Sequence, residues 1–410
     1  MDYEVFTLPN GIRLLFKPTV SSVSHACIII NTGSRDEPEE KDGLAHFIEH
    51  LLFKKTEKRS TNQILNYLEA VGGDLNAYTT KEYTCIHASF LIPYLRKALD
   101  LFEDLVFHSL FPVKEMEKEK GVIMDEIASY QDQPEEAIQD DFEDLLFSGH
   151  SLGRNILGSA DSVTAFQQQD IFSFLTANYN TEEIVIGVNG NYTSKEVNKL
   201  FTSLFENIPA NRNKPCRLAP NYTPVIKTVE KSIAQTHCVL GNQAYSIHDS
   251  KKTGLLVLNN ILGGNGMSSI LNLIIREKYG IAYTIESNYT PMCDSGIFSI
   301  YFGTDAEKSD KALKLVYKQL ALLRDSKMTD LNLSRAKKKI NGQIALGEDN
   351  RMGLIIGMCK SLIDHGRAES IEEVFAKINA ITSNELLEIA NEIFNPATMS
   401  TLTFVPDEAE

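Results

Sequence analysis

A chain of 410 residues is long for a single hydrophobic core, so two domains of ordinary size are expected. With 43% apolar and 23% charged residues and no low-complexity tract, the composition is that of a globular protein, not a disordered or fibrous one. A net charge of −15 argues against nucleic acid as the main partner, because phosphate binding draws on Lys and Arg. No run approaches the roughly 20 apolar residues of a membrane span, and Met1-Asp2-Tyr3-Glu4 offers no basic leader, so neither a membrane segment nor a secretory signal is expected. Cys27, Cys85, Cys216, Cys238, Cys293 and Cys359 are scattered without a C-x-x-C pair and read as reduced thiols of a cytoplasmic protein.

In chain order, Val5 to Pro18 alternates apolar and polar residues around Pro9-Asn10-Gly11 and predicts a hairpin. His25 to Asn31 predicts a buried strand, and a polar loop from Gly33 ends at Asp42 as a helix cap. A helix follows from Gly43, and Ser60 caps another that runs through Ala70. Leu75 to Phe90 reads as one strand. Helices are expected over 92–108, 113–131, 135–147 and 161–178, then a strand over 183–188 turning at Asn189-Gly190, then a helix over 194–205. Pro209, Pro215, Pro220 and Pro224, mixed with asparagines, mark a linker over 208–224 between domains 1–207 and 225–410.

The stretch Gly43-Leu44-Ala45-His46-Phe47-Ile48-Glu49-His50-Leu51-Leu52-Phe53 carries the chemistry. At about 100° per residue, His46 and His50 project within about 40° of each other and Glu49 stays in the same arc. The other positions are almost all apolar, so the helix should be buried, and buried imidazoles need partners or a metal. Two histidines at i, i+4 form a two-point zinc clamp, and the carboxylate beside them is placed to take a proton from a zinc-bound water. The order H-x-x-E-H inverts the commoner H-E-x-x-H.

Beyond the linker the pattern returns. Gly254 aligns with Gly43 at an offset of 211, Lys311-Ala312-Leu313 with Lys97-Ala98-Leu99 at 214, and Lys337, Ile340 and Ile344 with Lys120, Ile123 and Ile127 at 217. Such a drift is what a duplicated domain with small loop insertions produces. The chemistry is not repeated: Val257, Ile261 and Gln343 stand over His46, His50 and Glu126, so one metal centre per chain is expected.

A catalytic zinc needs three protein ligands and an open position. The 113–131 helix offers Glu115, Glu117, Glu119, Asp125 and Glu126, and helical geometry leaves Glu119 and Glu126 equally placed on one face. Here the sequence resembles the pitrilysin-type, or inverzincin, zinc peptidases, in the branch of the mitochondrial processing peptidase subunits and their bacterial relatives. The resemblance runs through Gly33-Ser34-Arg35, the H-x-x-E-H helix into Phe53-Lys54-Lys55-Thr56, and Asn76-Ala77-Tyr78-Thr79. It continues in Val122-Ile123-Met124-Asp125-Glu126-Ile127, Leu152 to Gly158, Gly263 to Ser269 and Arg276 to Tyr283. Lys55 departs from the family's usual Gly and Ile270 from its frequent Arg, away from the metal chemistry.

The resemblance implies two homologous α+β domains, each an antiparallel sheet with helices packed on one side. It implies Zn²⁺ held by His46, His50 and Glu126, Glu49 as general base, and Glu119 as an acid behind the ligands. Asn76 and Ala77 match an edge strand that receives substrate by backbone pairing, although Asn76 is also a natural turn residue after Gly72-Gly73. Arg276 and Tyr283 match a pair that holds the substrate backbone and the oxyanion. A homodimer enclosing peptides or unfolded polypeptides is the leading expectation; an active subunit of an obligate heterodimer and a non-catalytic scaffold are the rivals.

Overall fold

The computed structural model describes residues 3–214 and 216–407. Met1 and Asp2 of the acidic N-terminus and Pro215 of the linker lie outside the described residues. In chain order the first elements are β1 (Glu4–Thr7), β2 (Arg13–Pro18), β3 (Val23–Ile30), α1 (Leu44–Leu52), α2 (Thr61–Glu69), β4 (Asp74–Thr79) and β5 (Thr84–Leu91). Next come α3 (Leu95–Phe107), α4 (Val113–Gln131), α5 (Pro134–Leu146), α6 (Ala160–Ala165), α7 (Gln168–Asn178), β6 (Ile184–Gly190) and α8 (Ser194–Phe205). The remainder comprises β7 (Ile226–Lys231), β8 (Thr236–Gln243), α9 (Lys252–Leu262), the helical segment Asn272–Lys278, β9 (Ala282–Pro291) and β10 (Gly296–Thr304). It closes with α10 (Ser309–Asp325), α11 (Asp330–Gly347), α12 (Arg351–His365), α13 (Ile371–Ala380), α14 (Ser383–Ile393) and β11 (Ser400–Pro406).

These elements form two compact α+β units drawn from discontinuous stretches of chain. The first holds Met1–Ala128, Arg154–Arg217 and Leu346–Ser370; the second holds Ser129–Gly153, Leu218–Ala345 and Ile371–Glu410. The first sheet runs β1-β2-β6-β3-β5-β4 and the second β7-β11-β8-β10-β9. Leaving β1 aside, the orders and senses correspond strand for strand. Each sheet contains one parallel pair, β2 with β6 and β7 with β11, so the sheets are mixed and not purely antiparallel.

Helices also cover both faces of each sheet, not one. Along β2, β3 and β6, Leu14, Ile28 and Ile186 point into one core, while Leu15, Cys27, Ile29 and Val185 point into another beneath α12. Strands buried on both faces read as continuous apolar runs, which is why these segments show no polar alternation. Helix α12 comes from the C-terminal half of the chain yet packs on β6 and β3 of the first unit. Reciprocally, α5 from the N-terminal half packs Ala137, Ile138, Phe142 and Leu146 against Val239, Leu402 and Phe404 of the second unit. Gly187 makes room for α12: a Cβ there would lie 2.6 Å from the sulfur of Cys359 and 2.7 Å from that of Cys27.

Four local expectations are corrected. Residues 75–90 are not one strand but a hairpin, β4 and β5, turning at Thr80-Lys81-Glu82-Tyr83. That turn has none of the Gly, Pro or Asn residues that usually announce one. The 161–178 helix breaks at Phe166-Gln167, where Asp170 accepts the Gln167 N–H and starts α7 afresh. Asn189-Gly190 continues β6 instead of turning, because the buried Asn189 amide donates to the Lys17 carbonyl and the Thr19 hydroxyl. Asp42 is not the N-cap residue of α1; Gly43 occupies that position.

The loop after α1 is fastened to α3. Fully buried Asp104 accepts from the Thr56 hydroxyl at 2.7 Å and from the Arg59 guanidinium, which also reaches Asp100 and lies 4.1 Å over the Tyr67 ring. Removing one partner of a buried ion pair strands the other. Asp104→Ala is therefore expected to cost about 3 kcal/mol, the low end of the range because Asp100 remains. A denaturant titration would show it as a lower midpoint with an unchanged slope; an unchanged midpoint would contradict it.

Candidate metal centre

Helix α1 is set by its N-terminus. Gly43 adopts φ +92°, and a Cβ there would come 2.5 Å from the Leu157 carbonyl oxygen, so only glycine fits. Glycine offers no side chain to cap the helix, and buried Glu37 does so instead. Its Oε2 accepts the Gly43 N–H at 3.0 Å and its Oε1 accepts the Ala45 N–H at 2.7 Å. The Arg154 guanidinium donates to the Glu37 and Pro38 carbonyls and to the Asp42 carboxylate. Below this cap Leu44, Phe47, Ile48, Leu51 and Leu52 are buried, with Phe47 against Phe166 at 5.2 Å. The break between α6 and α7 is what leaves Phe166 free to pack there.

Pinned in this way, α1 presents His46 and His50 to α4. The Nε2 atoms of His46 and His50 lie 3.8 and 3.6 Å from Oε2 of Glu126. One donor atom from each of the three residues can be chosen so that all lie within 4.8 Å of one another. Ligands about 2.0–2.1 Å from a tetrahedral zinc are separated by about 3.3 Å, so the three donors are near enough to one another to share one such ion. Burial lowers the His46 pKa to about 4, with nearby His50 adding to the effect, so its imidazole is neutral and its lone pair available. This donor set, two imidazoles and a carboxylate, suits zinc.

Glu49 lies beside them with one carboxylate oxygen, Oε2, buried and without a hydrogen-bond partner among the described residues. Burial raises its pKa, opposed by Thr79 and by nearby His50. A carboxylate lifted by burial next to a metal shell is suited to take and return a proton. Behind the shell, Nδ1 of His50 lies 3.3 Å from Oε2 of buried Glu119, whose Oε1 is 2.6 Å from Nζ of Lys54. His46 lacks such support among the described residues: its Nδ1 is buried with no hydrogen-bond partner there.

The structure thus brings His46, Glu49, His50, Glu119 and Glu126 together in the first unit. Asn76 and Ala77 sit on β4, the outermost strand of that sheet, paired only to His87 and Ile86 of β5, so Asn76 is a strand residue and not a turn. Arg276 and Tyr283 belong to the second unit, on the helical segment 272–278 and at the start of β9, both well exposed. Sequence reading passed over Glu37, Thr79 and Lys54 as individual contributors. Only Lys54 carried a local signal, standing four residues after His50 on the continuation of the same helical face. In the second unit, Asn260 occupies the position corresponding to Glu49 and donates to Gln343 at 2.8 Å, an amide pair where the first unit has carboxylates.

Residues 14–160 match the family described as insulinase (peptidase family M16), and residues 165–340 match the peptidase M16 inactive domain. The chain is 32% identical over 395 residues, 95% of each chain, to an uncharacterized zinc protease of Bacillus subtilis. It superposes with a TM-score of 0.91 at 21% identity on the crystal structure of a protease from Helicobacter pylori, covering 98% of this chain and 99% of that one. A peptidase M16 inactive domain from Pseudomonas fluorescens gives a TM-score of 0.90 at 20% identity, with both chains fully covered. With its two halves matched in order and a relative of this identity over nearly the whole length, the chain belongs to peptidase family M16.

Proposed function

We propose that this protein is a zinc-dependent endopeptidase of the H-x-x-E-H type, acting on peptides or unfolded polypeptides. The observation that carries the reading is the convergence of His46, His50 and Glu126 with the half-free Glu49 carboxylate beside them. Relatives named as zinc proteases support it. In this reading His46, His50 and Glu126 hold one zinc per chain. When bound, zinc supplies Lewis-acid polarisation of the scissile carbonyl and of water.

The protein's own residues do the rest. Substrate adds as a strand along β4, its backbone bonding at Asn76 and Ala77 with little demand on sequence. Glu49 accepts a proton from the attacking water and returns it to the leaving amine. Glu119 orients His50 from behind. Arg276 and Tyr283 grip the substrate backbone and donate to the developing oxyanion. A homodimer that encloses substrate, with the pair from one protomer serving the metal of its partner, belongs to the same proposal and is supported by the exposure of both side chains. So does the division of the chain into a metal-bearing half, 1–207, a joining segment, 208–224, and a half without ligands, 225–410. A cytoplasmic location is proposed on the cysteines, which form no disulfide among the described residues; no described helix is long and apolar enough to cross a membrane.

The test is metal content and hydrolysis of unstructured peptides by the purified protein, before and after chelation, with size-exclusion chromatography of the active species. One zinc per chain, and activity lost on chelation and regained with zinc, is the expected result. Protein that takes up no zinc and cleaves nothing would refute the proposal.

A further inference from the structure

We infer that Lys54 is a positioning residue for the metal centre, acting through Glu119 to fix the His50 imidazole for coordination; this rests on the zinc reading above. Four observations carry it. Glu119 is 6% exposed, so an isolated carboxylate there would be costly. Its two oxygens are divided, Oε1 to Lys54 at 2.6 Å and Oε2 toward Nδ1 of His50 at 3.3 Å. Lys54 pairs with Glu119, whereas Glu115 on the same helix face pairs with Lys118 at 2.9 Å. Finally, the other imidazole has no outer anchor among the described residues, where Nδ1 of His46 is buried without a hydrogen-bond partner. The two histidines are therefore held differently. His46 is fixed by packing, and His50 by a chain of charge.

The physical reason is specific. A histidine that coordinates through Nε2 carries its proton on Nδ1 and must donate it to an acceptor of fixed orientation. Glu119 can serve only while one oxygen stays turned toward His50, and Lys54 holds the carboxylate in that orientation from the far oxygen. The backbone helps to keep Lys54 there: its N–H donates to the Leu51 carbonyl at 3.1 Å, holding the residue on the last turn after α1.

The sign of the effect separates positioning from bulk electrostatics. Taking a positive charge away from the neighbourhood of a metal cation would, by Coulomb's law alone, tighten metal binding. Loss of the positioning chain would weaken it. The experiment is zinc affinity of the full-length protein, measured by competition with a chromophoric chelator, for wild type, Lys54→Met, Lys54→Arg and Lys118→Met. Thermal unfolding of each metal-free protein accompanies it. Lys54→Met is expected to bind zinc about 10–100-fold more weakly, as for other residues that orient a metal ligand from behind. Lys54→Arg should recover most of that loss, and Lys118→Met should match wild type. The metal-free Lys54→Met protein should melt below wild type, because the change strands the buried Glu119 carboxylate, so affinities are compared well below the melting temperature of every variant. Lys54→Met with wild-type or tighter affinity would overturn the inference while leaving the zinc reading intact. A wild type that takes up no zinc would overturn the zinc reading itself, and this inference with it.

Discussion

Replacing Glu49 with Gln is expected to lower peptide hydrolysis by about 10²–10⁴-fold while zinc content stays at the wild-type level. The amide has nearly the same shape and cannot accept the proton from water, so the change removes the base and little else. Retention of metal follows from the geometry, because the converging donors are His46, His50 and Glu126, with Glu49 beside them. Metal analysis and initial rates on one preparation decide the matter. Hydrolysis within a few-fold of wild type would remove Glu49 from the mechanism, and loss of zinc would make it a ligand.

The second large effect is expected at Glu126. Its Oε2 is the oxygen that both Nε2 atoms approach, at 3.6 and 3.8 Å, so Glu126→Ala removes the carboxylate from the converging donor set. Zinc retention after dialysis should fall by more than the about 10–100-fold typical of residues behind a ligand, with activity falling in parallel. Asp125→Ala is the control: Asp125 is exposed and stands one residue, about 100° of helix, away from Glu126. Equal zinc loss in the two variants would show that helix charge, not coordination, governs retention.

Much of the first helix was legible in the sequence for a definite reason. In a segment as apolar as Leu44 to Phe53, polar residues at i, i+3 and i+4 have one edge to occupy, and that is local geometry. The same reasoning could not choose between Glu119 and Glu126, which are seven residues apart and share a helix face. Their difference arises only when α4 is laid against α1: Glu126 meets the Nε2 edge of both imidazoles, whereas Glu119 meets the Nδ1 edge of one. Glu37 was opaque in the same sense, since it works across a loop, and the helical spacing of Lys54 from His50 gave its face without its partner, which lies far away in sequence.

The sequence by itself determined the helix that carries the chemistry, the duplicated order of elements and the loss of metal-binding side chains from the second copy. Each is written in residue type and spacing within one segment, or in the same spacing repeated at a near-constant offset. Tertiary structure alone decided that β4 and β5 form a hairpin, that both sheets are covered on both faces, and that α5 and α12 are exchanged between the units. An amphipathic helix specifies that it must bury a face, and its own residues do not say against which sheet. That choice was made by the partner surfaces, at places such as Gly187, where a missing side chain opens the seat for a helix from more than 160 residues away.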